Sequence, residues 1–252
     1  MKSFWTKAVV SAAAILCAGA ASAATTIDFE SVDTTNATLA PFLQDRDFVT
    51  QSGYVVGALD PNDNGTPNGG FVGSLMNGAD PGSCLDNTCP AGNSTNFLAT
   101  TNDAFVFIGA LDGSTLVLSS FDAAFIGPFA GLPSTTVAFL VIEADRADGS
   151  SAAGYFPLLG PSGGTTTFTT FNPADATLFA GSEGTLTSGH ITTLYAYAFY
   201  CGTGSTCSAA STDKAQFALD NIMIGVPEPG NWLLMTLGLG ALGAAARRRR
   251  SL

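Results

Sequence analysis

Residues 190–200 read HITTLYAYAFY, and residues 214–224 read KAQFALDNIMI. In the first stretch Tyr195, Tyr197 and Phe199 alternate with small residues. That is the period of two expected of a β-strand, whose successive side chains point to opposite faces. In the second, Phe217 and Leu219 share a face, and Ile222 and Ile224 resume the pattern one residue out of step. An apolar strand that changes parity needs one extra residue, so a β-bulge is expected at Asp220-Asn221.

The same reading extends outward. TTIDFES (25–31) sets Ile27 and Phe29 against Asp28 and Glu30, and AFVFIGALDGSTLVLSSFDAAFIG (104–127) reads as successive strands around an Asp112-Gly113 turn. TTVAFLVIEAD (135–145) is apolar on both faces from Val137 to Ile142, as a central sandwich strand is. Clusters of Gly, Asn, Asp, Ser and Pro separate these runs. The longest, DPNDNGTPNGG (60–70) and DPGSCLDNTCPAGNSTN (80–96), are expected as surface loops. No amphipathic helix exceeds two turns and no internal repeat is present. About ten short strands without helices predict an all-β domain over 24–225, a β-sandwich of the jelly-roll type.

The ends have a different character. MKSFWTK carries Lys2 and Lys7, AVVSAAAILCAGA is a short apolar segment, and Ala21-Ser22-Ala23 supplies small residues at alternate positions. These are the parts of a secretory signal helix over 1–23, cut by signal peptidase between Ala23 and Ala24. A lipoprotein signal at Cys17 is disfavoured, because Leu16 stands where a small residue is required. Residues 226–252 read VPEPGNWLLMTLGLGALGAAARRRRSL. As a helix, Trp232 to Ala246 would span about 22 Å, short of the roughly 30 Å hydrocarbon core. Arg247, Arg248, Arg249 and Arg250 would stay on the cytoplasmic side.

Val226-Pro227-Glu228-Pro229, the apolar helix and the arginine cluster together resemble a PEP-CTERM sorting signal. The resemblance implies processing by an exosortase, a membrane-embedded cysteine transpeptidase, in a Gram-negative bacterium that makes exopolysaccharide. It implies transient residence in the inner membrane, then delivery to the cell surface or extracellular matrix. Gln216-Phe217-Ala218-Leu219-Asp220 resembles the QFxxD segment of one group of such proteins, which implies membership and no activity. A plain membrane anchor is the alternative reading of the tail. A basic nucleic-acid tail is a poorer one, since arginines behind an apolar helix suit a membrane edge.

Charge supports the last point. The chain carries a net −11, but between its two ends only Arg46, Arg146 and Lys214 stand against nineteen carboxylates, a net of −16. Such a field repels phosphate and excludes nucleic acid as a partner. Sixteen of these acids are Asp, the side chain that favours turns and oxygen-rich cation sites. Apart from Cys17, the cysteines form two local pairs, and disulfides Cys84–Cys89 and Cys201–Cys207 are expected after export, each pinning a loop. Loops this short contribute about 2 kcal/mol each. Zinc is disfavoured, because the spacings are too wide for knuckles and His190 is the one histidine.

Four stretches invite a chemical reading. Gly160-Pro161-Ser162-Gly163-Gly164 fits G-x-S-x-G, with Asp175 and His190 following in hydrolase order, but a strand-like TTTFTTF follows where a helix is required. A hairpin turn is the better account. Glu143-Ala144-Asp145-Arg146-Ala147-Asp148 resembles the Glu-x-Asp-x-x-Glu strand of laminarinase-like jelly-roll glycosidases. The resemblance implies a nucleophile and an acid/base carboxyl in one cleft. Here the third acid is the shorter Asp148, of opposite parity to Glu143, and Asp148-Gly149 is itself a hairpin signal. Both tryptophans, Trp5 and Trp232, lie in the ends, so no Trp platform for a sugar ring remains. Asp60 to Gly65 fits the first half of an EF-hand loop, but position 12 is Phe71 rather than Glu. Finally, Glu30 and Asp220 resemble the early Glu and late Asp that hold structural calcium in many jelly-roll carbohydrate-binding modules. Pairing of the first and last strands would bring them together, which makes calcium the candidate cofactor.

These observations predict an exported, non-enzymatic envelope or matrix protein that binds or structures exopolysaccharide. The alternative is a secreted jelly-roll glycoside hydrolase using Glu143 and Asp148.

Overall fold

A computed structural model describes residues 24–61, 70–84, 87–188, 190–204, 206–208 and 213–225. The signal segment through Ala23, the sorting segment 226–252 and most of the EF-hand-like loop lie outside the described residues. Residues Ala24–Gly225 make one compact unit.

Fourteen strands and no α-helix occur among the described residues. They are β1 (Thr25–Ile27), β2 (Phe42–Gln44), β3 (Phe48–Gln51), β4 (Tyr54–Leu59), β5 (Phe71–Asn77), β6 (Asn96–Thr100) and β7 (Phe105–Ala110). These are followed by β8 (Val117–Phe125), β9 (Thr136–Arg146), β10 (Ser151–Leu159), β11 (Thr169–Phe171), β12 (Thr177–Leu178), β13 (Ile191–Tyr200) and β14 (Phe217–Gly225). The sequence pattern gives about ten strands. The surplus is short edge pieces of two to four residues such as β1, β2, β11 and β12, too brief to show alternation.

The strands form two seven-stranded antiparallel sheets. Sheet one runs β11-β8-β14-β6-β5-β2, with β1 also on β14; sheet two runs β12-β10-β9-β13-β7-β4-β3. This is the expected two-sheet sandwich. The parity switch in β14 is a bulge, as read from the sequence. Its register against β8 slips between Asp220 and Met223, and Asn221 takes φ 47°, a left-handed conformation that Asn tolerates. The Asp148-Gly149 hairpin also forms, with Gly149 at φ 84° between β9 and β10.

The core lies between the inner faces. Sheet one contributes Leu98, Leu118, Phe121, Phe217, Leu219, Ile222 and Ile224, and sheet two contributes Val106, Leu140, Ile142, Phe156, Leu194, Ala196 and Ala198. Phe121 and Phe156 meet edge-on across the gap with ring centroids 5.2 Å apart, and Phe171 packs against both. Thr100 ties the sheet to its last strand: its Oγ1 donates to the Phe217 carbonyl at 3.0 Å and accepts from the Phe217 N–H at 2.9 Å.

Candidate functional site

β13 places its side chains unusually. Leu194, Ala196 and Ala198 are buried in the core, while Tyr195, Tyr197 and Phe199 stand half-buried on the outer face of sheet two. The large rings thus point away from the core and the alanines point into it. Neighbouring strands do the same. β7 turns Val106 and Ile108 inward and Phe105 and Phe107 outward; β9 turns Leu140 and Ile142 inward and leaves Phe139 and Glu143 outside.

Register assembles these residues into rows. Tyr155, Val141 and Tyr197 are consecutive cross-strand partners, and Phe105 follows Tyr197 by the β13–β7 register. The adjacent row runs Ala153, Glu143, Tyr195, Phe107 and Gly57. Ring contacts run along the first row and extend it to Phe139, Phe199 and Phe179: Phe105–Tyr197 at 4.9 Å, Tyr197–Phe199 at 5.7 Å, Phe139–Tyr155 at 5.2 Å and Tyr155–Phe179 at 5.3 Å between centroids. Gly57 completes the platform. The ring of Phe107 occupies the space a Cβ at residue 57 would need. Val141 is fully buried on this face because its direct neighbours, Tyr155 and Tyr197, flank it.

Glu143 is the charged centre of the platform. The Tyr197 hydroxyl donates to its Oε2 at 3.4 Å, a long bond. Burial, and then the Glu143 charge, push the Tyr197 hydroxyl up to about 12. Tyr195 is raised by burial first, then by Asp145 and Glu143. Both phenols are therefore neutral donors at any ordinary pH.

The outer face of sheet one is instead covered. Met76, Phe97, Ala99 and Ala218 point outward from it into a second apolar cluster with Cys84, Ile126, Cys89 and Phe168. The disulfide Cys84–Cys89 forms as expected, as does Cys201–Cys207. The first does more than pin a loop, since Cys84 is only 8% exposed and belongs to this small core. Under the same loop lies Asp220, fully buried. Its Oδ2 accepts from the Asn93 side-chain amide at 2.6 Å and from that of Asn221 at 3.3 Å, whereas its Oδ1 has no partner. Burial holds its carboxyl up at about 7, and the charges of Asp122 and Asp28 add to the rise against the hydrogen bonds of Asn221 and Asn93.

The other sequence candidates fall as follows. β1 does pair with β14, setting Ile27 opposite Ile222. Glu30, however, gives its carboxylate to Asn96, accepting from the backbone N–H at 2.5 Å and the side-chain amide at 3.4 Å. Among the described residues no three acidic, histidine or cysteine side chains converge as a metal site. Glu30 and Asp220 are thus each engaged by amides, Glu30 by Asn96 and Asp220 by Asn93 and Asn221. Asp148 lies exposed in its turn and is committed to it, accepting from the Ser150 N–H at 3.0 Å and hydroxyl at 2.7 Å; these bonds hold its pKa down. Glu143 stands three residues inside the strand end, roughly 10 Å further along β9, so the hydrolase pair shares no cleft. Ser162 sits exposed in the turn closed by Ser162 and Thr165, Asp175 in a 3-10 turn and exposed His190 before β13.

Trp is the usual mark of a sugar-binding surface, and its absence from residues 24–225 hides the aromatic platform in the sequence. The signal was present: in both AFVFIG and LYAYAF the rings share one parity.

Among solved structures, the chain is similar to the family 11 carbohydrate-binding module of cellulosomal cellulase Lic26A-Cel5E of Clostridium thermocellum. That similarity has 9% identity and TM-score 0.32, over 82% of this chain and 96% of that one. It is similar also to the C-terminal family 22 carbohydrate-binding module of Clostridium thermocellum Xyn10B, at 11% identity and TM-score 0.32, over 71% and 89%. No curated protein matches the sequence. The tail is specific where the domain is not: residues 225–250 match the PEP-CTERM protein-sorting motif, so this chain carries a PEP-CTERM signal behind its β-sandwich.

Proposed function

We propose that this protein is a non-enzymatic surface protein whose sandwich holds glycan against the outer face of sheet two. The sorting motif implies export, processing by an exosortase and sorting to the surface. In this reading signal peptidase removes 1–23, residues 24–225 are the mature domain, and 226–252 holds the chain in the inner membrane until cleavage. Exopolysaccharide at the surface of a Gram-negative cell is the ligand in reach.

One observation carries the glycan reading: the tyrosine-out, alanine-in arrangement of β13. Burying three rings in place of Leu194, Ala196 and Ala198 would remove far more apolar area from water, at roughly 25 cal/mol per Å2. A domain that forgoes this keeps the rings for something outside. Flat rings flanked by phenol hydroxyls and a carboxylate offer stacking surface with hydrogen-bonding groups at its edges, as a pyranose requires. Affinity electrophoresis through gels containing polysaccharide tests it. Retardation that disappears in Tyr155→Ala and Tyr197→Ala is expected, and equal mobility of wild type and variants across neutral, amino and acidic polysaccharides overturns it.

A further inference from the structure

The charge on the platform narrows what it takes. Glu143 and Asp145 lie two residues apart on β9 with the same outward parity, about 7 Å apart along the strand. Glu143 is flanked across the strands by Tyr195, with Tyr197 donating to it at 3.4 Å. Two of the domain's three cations are engaged elsewhere. Arg146 turns its guanidinium to the Glu183 and Thr185 carbonyls, at 2.6 and 2.7 Å, and Lys214 lies 5.7 Å from the Tyr200 ring. Tyrosine faces carry negative quadrupole potential, and the domain around them carries a net −16.

Resting on the glycan reading above, we infer that the outer face of sheet two selects polysaccharide bearing free amines, a partly or fully deacetylated hexosamine polymer, over neutral glycan and over uronate. An ammonium beside Glu143 gains an ion pair and two tyrosine faces at once. A neutral sugar keeps only stacking and hydroxyl hydrogen bonds, and a uronate meets repulsion from both carboxylates. Short oligosaccharides discriminate best, because a long polycation would attract any acidic surface through its many charges.

The test is calorimetric titration of the exported protein with a glucosamine hexamer and with the same hexamer fully N-acetylated, at physiological ionic strength. The free-amine hexamer is expected to bind about tenfold tighter. Glu143→Gln should erase that preference. Asp80→Asn, which removes an exposed charge on the sheet-one side and still caps its 3-10 turn, should retain the preference. If Glu143→Gln does not fold, Asp145→Asn should lower the ratio in the same direction. Equal affinities in wild type, or a preference that survives both platform variants, overturn the inference; N-acetylated binding that still depends on Tyr197 then leaves the glycan reading standing. Binding to neither hexamer overturns the inference, and electrophoresis across neutral, amino and acidic polysaccharides then decides the glycan reading separately.

Discussion

Asn93, in the loop pinned by Cys84–Cys89, donates its side-chain amide to the buried Asp220 at 2.6 Å across 127 residues of sequence. The contact joins the cover of sheet one to the bulge of its last strand. It satisfies one carboxyl oxygen and leaves the other bare.

That geometry fixes the sign of a pH dependence. Asp220 is raised from 3.8 to about 7. The folded state therefore prefers the protonated acid. Its contribution is complete below about pH 4 and is lost as pH rises through 7, on the order of a few kcal/mol. Calorimetry from pH 4 to 8 should show wild type losing about 5–10 °C in Tm relative to Asp220→Asn, which carries no titrating group there. A cation at Asp220 would reverse the slope, stabilising the ionised form as pH rises, so the direction decides between proton and calcium.

The two disulfides should not be equivalent. Replacing Cys84 and Cys89 by Ser should cost about 3–4 kcal/mol, because it frees the loop and also opens the satellite core. Replacing Cys201 and Cys207 should cost about 2 kcal/mol. Urea unfolding midpoints of the two double variants check the order, and equal losses would mean that the cover loop holds without its bridge.

Gly57→Ala should displace the ring of Phe107. A Cβ there meets that ring and lies 2.9 Å from the Asp47 carbonyl oxygen. Overpacking of this kind costs about 1–3 kcal/mol. Glycan affinity should fall with stability, since Phe107 belongs to the platform; a variant as stable as wild type would show that the ring has room to move.

Glu228→Ala should trap the full-length chain in the membrane, because it removes a recognition residue of the sorting motif and keeps the apolar span. Intact-mass measurement of surface material should find wild type without Trp232 to Leu252. An uncut C-terminus at Leu252 on surface protein would turn the tail into an anchor.

Legibility in the sequence followed local constraint. The bulge at Asp220-Asn221 was readable because parity cannot change without an extra residue, and the Asp148-Gly149 turn because few residues accept positive φ. Short cysteine spacings limited the bridges in the same way. Alternation in residues 190–200 revealed two faces, but nothing local states which one another layer will cover. Only the pairing of β13 between β9 and β7, with sheet one behind Ala196 and Ala198, decides that Tyr195 and Tyr197 face outward. The burial of Asp220 was hidden for a related reason: its cover comes from Asn93, far away in sequence.

β14 lies between β8 and β6 and also takes β1, so the last strand made is a central one. Thr25 faces Ile224, and the first and last residues of the domain leave the sheet at the same end. Vectorial completion of sheet one is therefore barred. The chain emerging N-terminus first has no partner for β1, and sheet one stays split into two halves until residue 225 has crossed. Closure waits on the most sequence-distant pairing in the molecule, which is slow to find. Sheet one is thus completed only as the chain reaches the sorting tail, and truncation before Phe217 should yield no folded domain.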